Sequence, residues 1–154
     1  EDLAQLRSLS LFRGLDYECL KILAMLCRRV TLVADDQLMV EGEDDGCAFV
    51  ILSGNVKACR TVGTSTRIIC QFGAGDFIGG SALLGKSPRL FTVQATEETE
   101  TLQLNREELQ KVLEQFPEAV SKITGNLLSE LAAWDRSLLD GDDWNPETIG
   151  VSLI

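Results

Sequence analysis

Histidine is absent from the 154 residues. Its absence excludes, within this chain, Ser-His-Asp and Cys-His nucleophilic catalysis, histidine metal sites and imidazole acid–base work. Basic residues are outnumbered by acidic ones, 14 against 24, for a net charge of −10. A surface that grips nucleic acid or anionic lipid needs the opposite balance, so neither partner is expected. No apolar run approaches the ~18 residues of a membrane-spanning helix. The cysteines (Cys19, Cys27, Cys47, Cys59 and Cys70) are odd in number and include no Cys-x-x-Cys pair. Such usage reads as reduced thiols of a cytoplasmic protein, not as a disulfide framework or a thiolate metal cluster. The chain opens on Glu1 instead of Met, so it reads as a trimmed piece, with no signal peptide in what remains.

What is present is ordinary globular composition, 45% apolar and 25% charged, at the length of one domain. Three zones divide it. Residues 1–28 are helical by pattern: Asp16 is the expected N-cap, and Leu20, Leu23, Ala24 and Cys27 follow at helical spacing. Before them Leu9–Gly14 is a short apolar turn anchored by Phe12. Residues 29–105 change to period two, with β-like runs at Arg29–Val33, Gln37–Val40, Cys47–Leu52, Asn55–Arg60, Arg67–Phe72, Phe91–Ala95 and Glu100–Leu104. Turn signals separate these runs, and Ser53-Gly54 reads as a tight hairpin. Short strands at this spacing predict a mainly β barrel or jelly roll of about eight strands with flanking helices. Residues 105–139 return to helix. Asn105 with Glu108 is a capping signature, and Pro117 suits the first turn of a further helix. In that helix Val120, Ile123, Leu127, Leu131, Trp134 and Leu138 form one apolar stripe. The stripe predicts burial on the barrel and partly against a second copy of the chain, a homodimer through the C-terminal helix. Residues 140–154 form an acidic tail.

The chemistry concentrates in Phe72–Ala95, FGAGDFIGGSALLGKSPRLFTVQA. Gly73, Gly75, Gly79 and Gly80 allow close backbone approach. The segment Ser81-Ala82-Leu83-Leu84 can make one helical turn whose free amides would receive an anion. Arg89, just before a β run, can close over that anion with its forked guanidinium. It is expected to point into the barrel toward the amides of Gly79–Ala82; the plainer alternative pairs it with an acid such as Glu41 or Asp45. The acids Glu41, Glu43, Asp44 and Asp45 lack the ligand order of a calcium loop and read as a solvated turn.

This segment resembles the phosphate-binding cassette of cyclic-nucleotide-binding domains. The family's cassette runs F-G-E-x-A-L, then P-R, then T-V-x-A. Here Ile78-Gly79-Gly80-Ser81-Ala82-Leu83 is followed by Pro88-Arg89 and Thr92-Val93-Gln94-Ala95. Val40-Glu41-Gly42-Glu43, Phe49–Val56 and Leu11-Phe12 resemble upstream family elements in the same order, so the likeness spans about residues 8–135. The resemblance implies a domain over 1–139, with a cassette at 77–92. It implies ligand-binding roles for Gly79, Gly80, Ser81, Ala82, Arg89, Leu90 and Thr92. Leu131 and Trp134 would lie on the helix that serves as lid or interface. The ligand would be a cyclic nucleotide, cAMP or cGMP, and no other cofactor is implied.

The cassette departs from the family at one chemical position. The glutamate that accepts from the ribose 2′-OH is replaced by Gly80, and bulky Leu90 and Phe91 stand after the arginine. Two classes of function follow. One is a non-catalytic sensor that relays ligand binding through its C-terminal helices to a fused or partner effector domain. The other is an interaction or dimerisation module that kept the fold and lost nucleotide binding. No nucleophile–base pair, metal cluster or paired catalytic carboxylates favour an enzyme, and no helix-turn-helix follows the long helix.

Overall fold

The structure, a computed structural model, describes residues 2–139, without the side chains of Leu131 and residues 134–139. The N-terminal zone folds as α1 (Asp2–Ser8), a 3-10 turn (Ser10–Phe12) and α2 (Tyr17–Leu26). Asp16 stands at the N-cap of α2 in extended conformation, but its side chain makes no capping bond; its carboxylate lies 3.8 Å from Lys122 instead.

Eight strands follow: β1 (Arg28–Leu32), β2 (Gln37–Met39), β3 (Cys47–Ser53), β4 (Asn55–Val62), β5 (Ser65–Gly73), β6 (Phe77–Ile78), β7 (Thr92–Ala95) and β8 (Thr99–Asn105). They form two antiparallel four-stranded sheets, ordered β1-β8-β3-β6 and β2-β7-β4-β5. Leu32, Phe49, Ile51 and Ile78 from the first sheet meet Met39, Val56, Ala58, Phe72, Val93 and Ala95 from the second in one buried cluster. The outer face of the first sheet presents Ala48, Val50, Leu102 and Leu104 to the helices. Burial on both faces explains why β3 reads Cys-Ala-Phe-Val-Ile-Leu with no polar alternation. This is the jelly roll with flanking helices expected from the period-two zone.

Ser53-Gly54 does not close a hairpin. β3 and β4 lie in different sheets, so the pair makes the corner between them, and the true hairpin is β4–β5. A Cβ at Gly54 would fall 2.4 Å from Thr99 Oγ1, so the corner needs a residue without a side chain.

α3 (Arg106–Gln115) starts as expected, with the Glu108 amide donating to Asn105 Oδ1 at 2.9 Å. α4 (Pro117–Leu139) starts at its proline. Its buried row keeps two members of the expected stripe, with Ile123 buried and Leu127 half-buried, but Val120 is 46% exposed and Ala119 is buried in its place. The groups that carry the helix further along the N-terminal turn are polar, Asn126 and Glu130. Leu131, Trp134 and Leu138, the rest of that stripe, have side chains outside the described residues. Among the described residues no helix is long and apolar enough to cross a membrane.

Candidate functional site

The cassette hangs from the first sheet. β6 pairs with β3, Phe49 opposite Ile78 and Val50 opposite Phe77, and both of its residues are buried. Gly79 then turns the chain with φ +83°, in the left-handed region. A Cβ there would stand 2.6 Å from Met39 Cε, 2.8 Å from Arg89 Nη1 and 2.9 Å from the Cys47 carbonyl, so both conformation and space demand glycine. Gly80–Leu83 is one 3-10 turn, one residue ahead of the expected Ser81–Leu84. Within it the Ala82 amide donates to Gly79 and the Leu84 amide to Ser81. The amides at its start, Gly80 and Ser81, are those that such a turn leaves over. Gly80 is buried and is not among the residues at positive φ, so its backbone accepts a side chain.

Arg89 is 4% exposed. Its guanidinium points inward, to the Gly79 carbonyl from Nη1 at 3.2 Å. It does not stand alone. Nε and Nη2 grip the Asp45 carboxylate in bidentate fashion, at 3.1 and 2.5 Å, and Nη2 also donates to the Cys47 carbonyl. The main chain at 89 is tied to the same loop: Arg89 N donates to Glu43 O at 2.9 Å and Gly42 N to Arg89 O at 2.8 Å. Both expectations for Arg89 thus hold in part. It is turned into the protein at the cassette, where it meets the Gly79 carbonyl and not the amides of the turn, and it pairs with Asp45, an exposed acid.

Glu43, Asp44 and Asp45 of the β2–β3 turn are exposed, as expected of a solvated turn, and Asp44 and Asp45 are also held in ion pairs. Asp44, beside Asp45, pairs with Arg106 at 2.5 Å and receives the Ser87 amide at 3.3 Å. The hydrogen bonds from Arg106 hold the Asp44 carboxyl below its ordinary range, and the Asp44 carboxylate in turn raises the Arg106 guanidinium. Arg106 Nε donates to the Ala82 carbonyl at 2.6 Å, joining the cassette turn to the first residue of α3. Sequence reasoning missed Arg106, which lies 24 residues from Ala82 along the chain; a charged first residue of a helix signals nothing but surface. Beside this junction lies a polar cleft of about 550 Å³, lined among others by Asp44, Lys86, Arg106 and Gln110.

The remaining expected residues separate. Ser81 is half-buried and Ala82 fully buried in the turn. Leu90 is 61% exposed, so it does not fill the roll; Phe91 is the one that packs against the inner cluster. Thr92 lies on the face of β7 opposite to Val93 and Ala95. Its hydroxyl accepts from the Glu41 amide at 3.0 Å, and it lines an outer groove of about 450 Å³ with Lys57, Gln37 and Gln94. The side chains of Leu131 and Trp134 lie outside the described residues.

The two-sheet roll with its flanking helices is that of a known family. The cyclic nucleotide-binding domain model matches residues 29–116, more than half of the chain, and the chain belongs to that family. Among individual proteins, it is 28% identical to the N-terminal domain of a transcriptional regulator from Streptomyces coelicolor, covering 87% of this chain and 94% of that one with a TM-score of 0.77. It is 26% identical to the cyclic AMP receptor protein of Thermus thermophilus over 83% of this chain and 60% of that protein. It is also 26% identical to mouse patatin-like phospholipase domain-containing protein 6 over 66% of this chain, and there it spans only 8% of the relative's length.

Proposed function

We propose that the chain is a non-catalytic regulatory domain whose cassette receives a cyclic nucleotide, cAMP or cGMP, or a similar phosphate-bearing ligand. The observation that carries this reading is the buried Arg89 guanidinium held at the head of the Gly79–Leu83 turn. Its donors are aligned by packing before any ligand arrives, and a guanidinium recognises phosphate with the same fork that now holds Asp45. The ligand's phosphate would share or take over that fork, with the starting amides of the turn as further donors. Because Arg106 ties the Ala82 carbonyl to α3, a displaced turn would pull on the helices, and α3 and α4 would carry the signal to a fused or partner effector. Val120 and Leu128, both exposed on α4, offer apolar surface for a second copy of the chain. Light scattering at high micromolar concentration reads this, a strict monomer removing it.

A second reading keeps the fold as an interaction module without ligand. Three observations favour it: Asp45 already neutralises Arg89, Phe91 packs on the inner cluster, and Gly80 supplies no carboxylate for a ribose hydroxyl. Calorimetric titration with cAMP, cGMP and plain nucleotides separates the two. Saturable heat from a cyclic nucleotide supports the sensor; none from any of them supports the interaction module.

A further inference from the structure

Beyond Ile123 only half-buried Leu127 continues the contact with the hydrophobic core among the residues with described side chains, and polar groups tie α4 to the N-terminal segment. Asn126 Nδ2 donates to the carbonyls of Leu11 and Arg13, each at 2.9 Å. One turn further on, Glu130 Oε1 accepts from the Ser10 hydroxyl. The second oxygen, Glu130 Oε2, is buried and has no hydrogen-bond partner among the described residues. An ionised carboxylate with one oxygen dry and unpaired is expensive, whereas the neutral acid is much less so.

We propose that Glu130 and Ser10 form a proton-dependent clasp that sets how firmly α4 is docked on the N-terminal turn. The clasp acts with or without a ligand in the cassette, and so goes beyond nucleotide binding. Burial pushes the Glu130 carboxyl above its ordinary value of 4.5, opposed by the Ser10 hydrogen bond and by Arg13, the charged group of the N-terminal segment that acts on it. A group raised in the docked state stabilises docking fully below about 4.5 and loses that contribution as pH rises through the raised value. Each unit of difference is about a tenfold loss of docking. The consequence reaches the cassette. Phe12, the last residue of the clasped turn, sets its ring 6.2 Å from that of Phe77, in the strand that leads into Gly79. Proton release at Glu130 would therefore loosen the helix at one end and the root of the cassette at the other.

Hydrogen–deuterium exchange of the α4 amides between Thr124 and Ala133, on the full chain and corrected for intrinsic exchange, tests the clasp from pH 4 to 8. The wild type is expected to lose protection in a single step centred above about 4.5, by threefold or more. Glu130→Gln, which cannot ionise, is expected to give protection independent of pH. Ser10→Ala, which removes the donor to the charged form, is expected to move the step to higher pH. The proposal is overturned if the wild type shows no step, if Glu130→Gln retains it, or if Ser10→Ala leaves its position unchanged. The last arm decides the matter even if Glu130→Gln fails to fold.

Discussion

Replacing Gly79 by alanine should destabilise the domain well beyond what its backbone angle alone would cost. With φ +83° the residue sits in the left-handed region, where an L side chain costs about 1–2 kcal/mol. The new methyl would also enter occupied space. Met39 Cε at 2.6 Å is the end of a flexible side chain and can retreat. Arg89 Nη1 at 2.8 Å is fixed by Asp45, and the Cys47 carbonyl at 2.9 Å belongs to a central strand. Overpacking of this kind costs about 1–3 kcal/mol more, for a total of about 2–5 kcal/mol. Gly75 is the internal control: its φ is +90°, yet nothing lies within 4 Å of its missing Cβ, so Gly75→Ala carries only the backbone part. With a urea slope of about 2 kcal/mol/M, Gly79→Ala should melt about 0.5–1.5 M earlier than Gly75→Ala. Equal midpoints would refute the reasoning, since they would mean that the head of the cassette is not packed against the arginine.

Gly80→Glu restores the acceptor that the cassette lacks at a backbone that is not left-handed, and is expected to tighten cyclic-nucleotide binding tenfold or more, read by calorimetry; the hydrogen bond is worth about 1.5–3 kcal/mol. No gain from a nucleotide that binds the wild type would show that the ribose does not reach residue 80. Arg106→Gln should weaken the dependence of stability on pH at the acid end. The Asp44 carboxyl is depressed by Arg106, so its contribution is present above the ordinary value of 3.8 and disappears as pH falls below it. Thermal melts between about pH 5 and pH 2 should therefore fall less steeply in the variant, and parallel curves would count against the Asp44–Arg106 pair.

Most of the roll was legible because period-two alternation survives wherever one sheet face meets solvent. β6 was not legible as a strand: it has two residues, both buried, and nothing to alternate. The corner at Gly54 looked like a hairpin because a short turn between two apolar runs does not reveal whether the runs pair or part into separate sheets. On α4, spacing alone placed Val120 in the buried stripe. Ile123 and Leu127 of that stripe do face the core, but Ala119 takes the buried place at its start, and Asn126 on the same side bonds two carbonyls of the N-terminal segment. At the cassette, the ungapped interval from Gly79 to Arg89 pointed to the arginine, and Asp45 was visible only as one of two candidate acids. The part played by Arg106 was invisible, because it depends on a contact that only the finished fold makes.

In the proposed sensor, Arg89 meets the phosphate of a cyclic nucleotide. The phosphorus resonance of cAMP or cGMP, followed by NMR as protein is added, reads that contact most directly. With wild-type protein a shift that saturates is expected for at least one of the two nucleotides. With Arg89→Ala, checked by circular dichroism to remain folded, the resonance should stay at its free position. An unmoved resonance for both nucleotides with the wild type, or the same saturating shift with the folded variant, would contradict it.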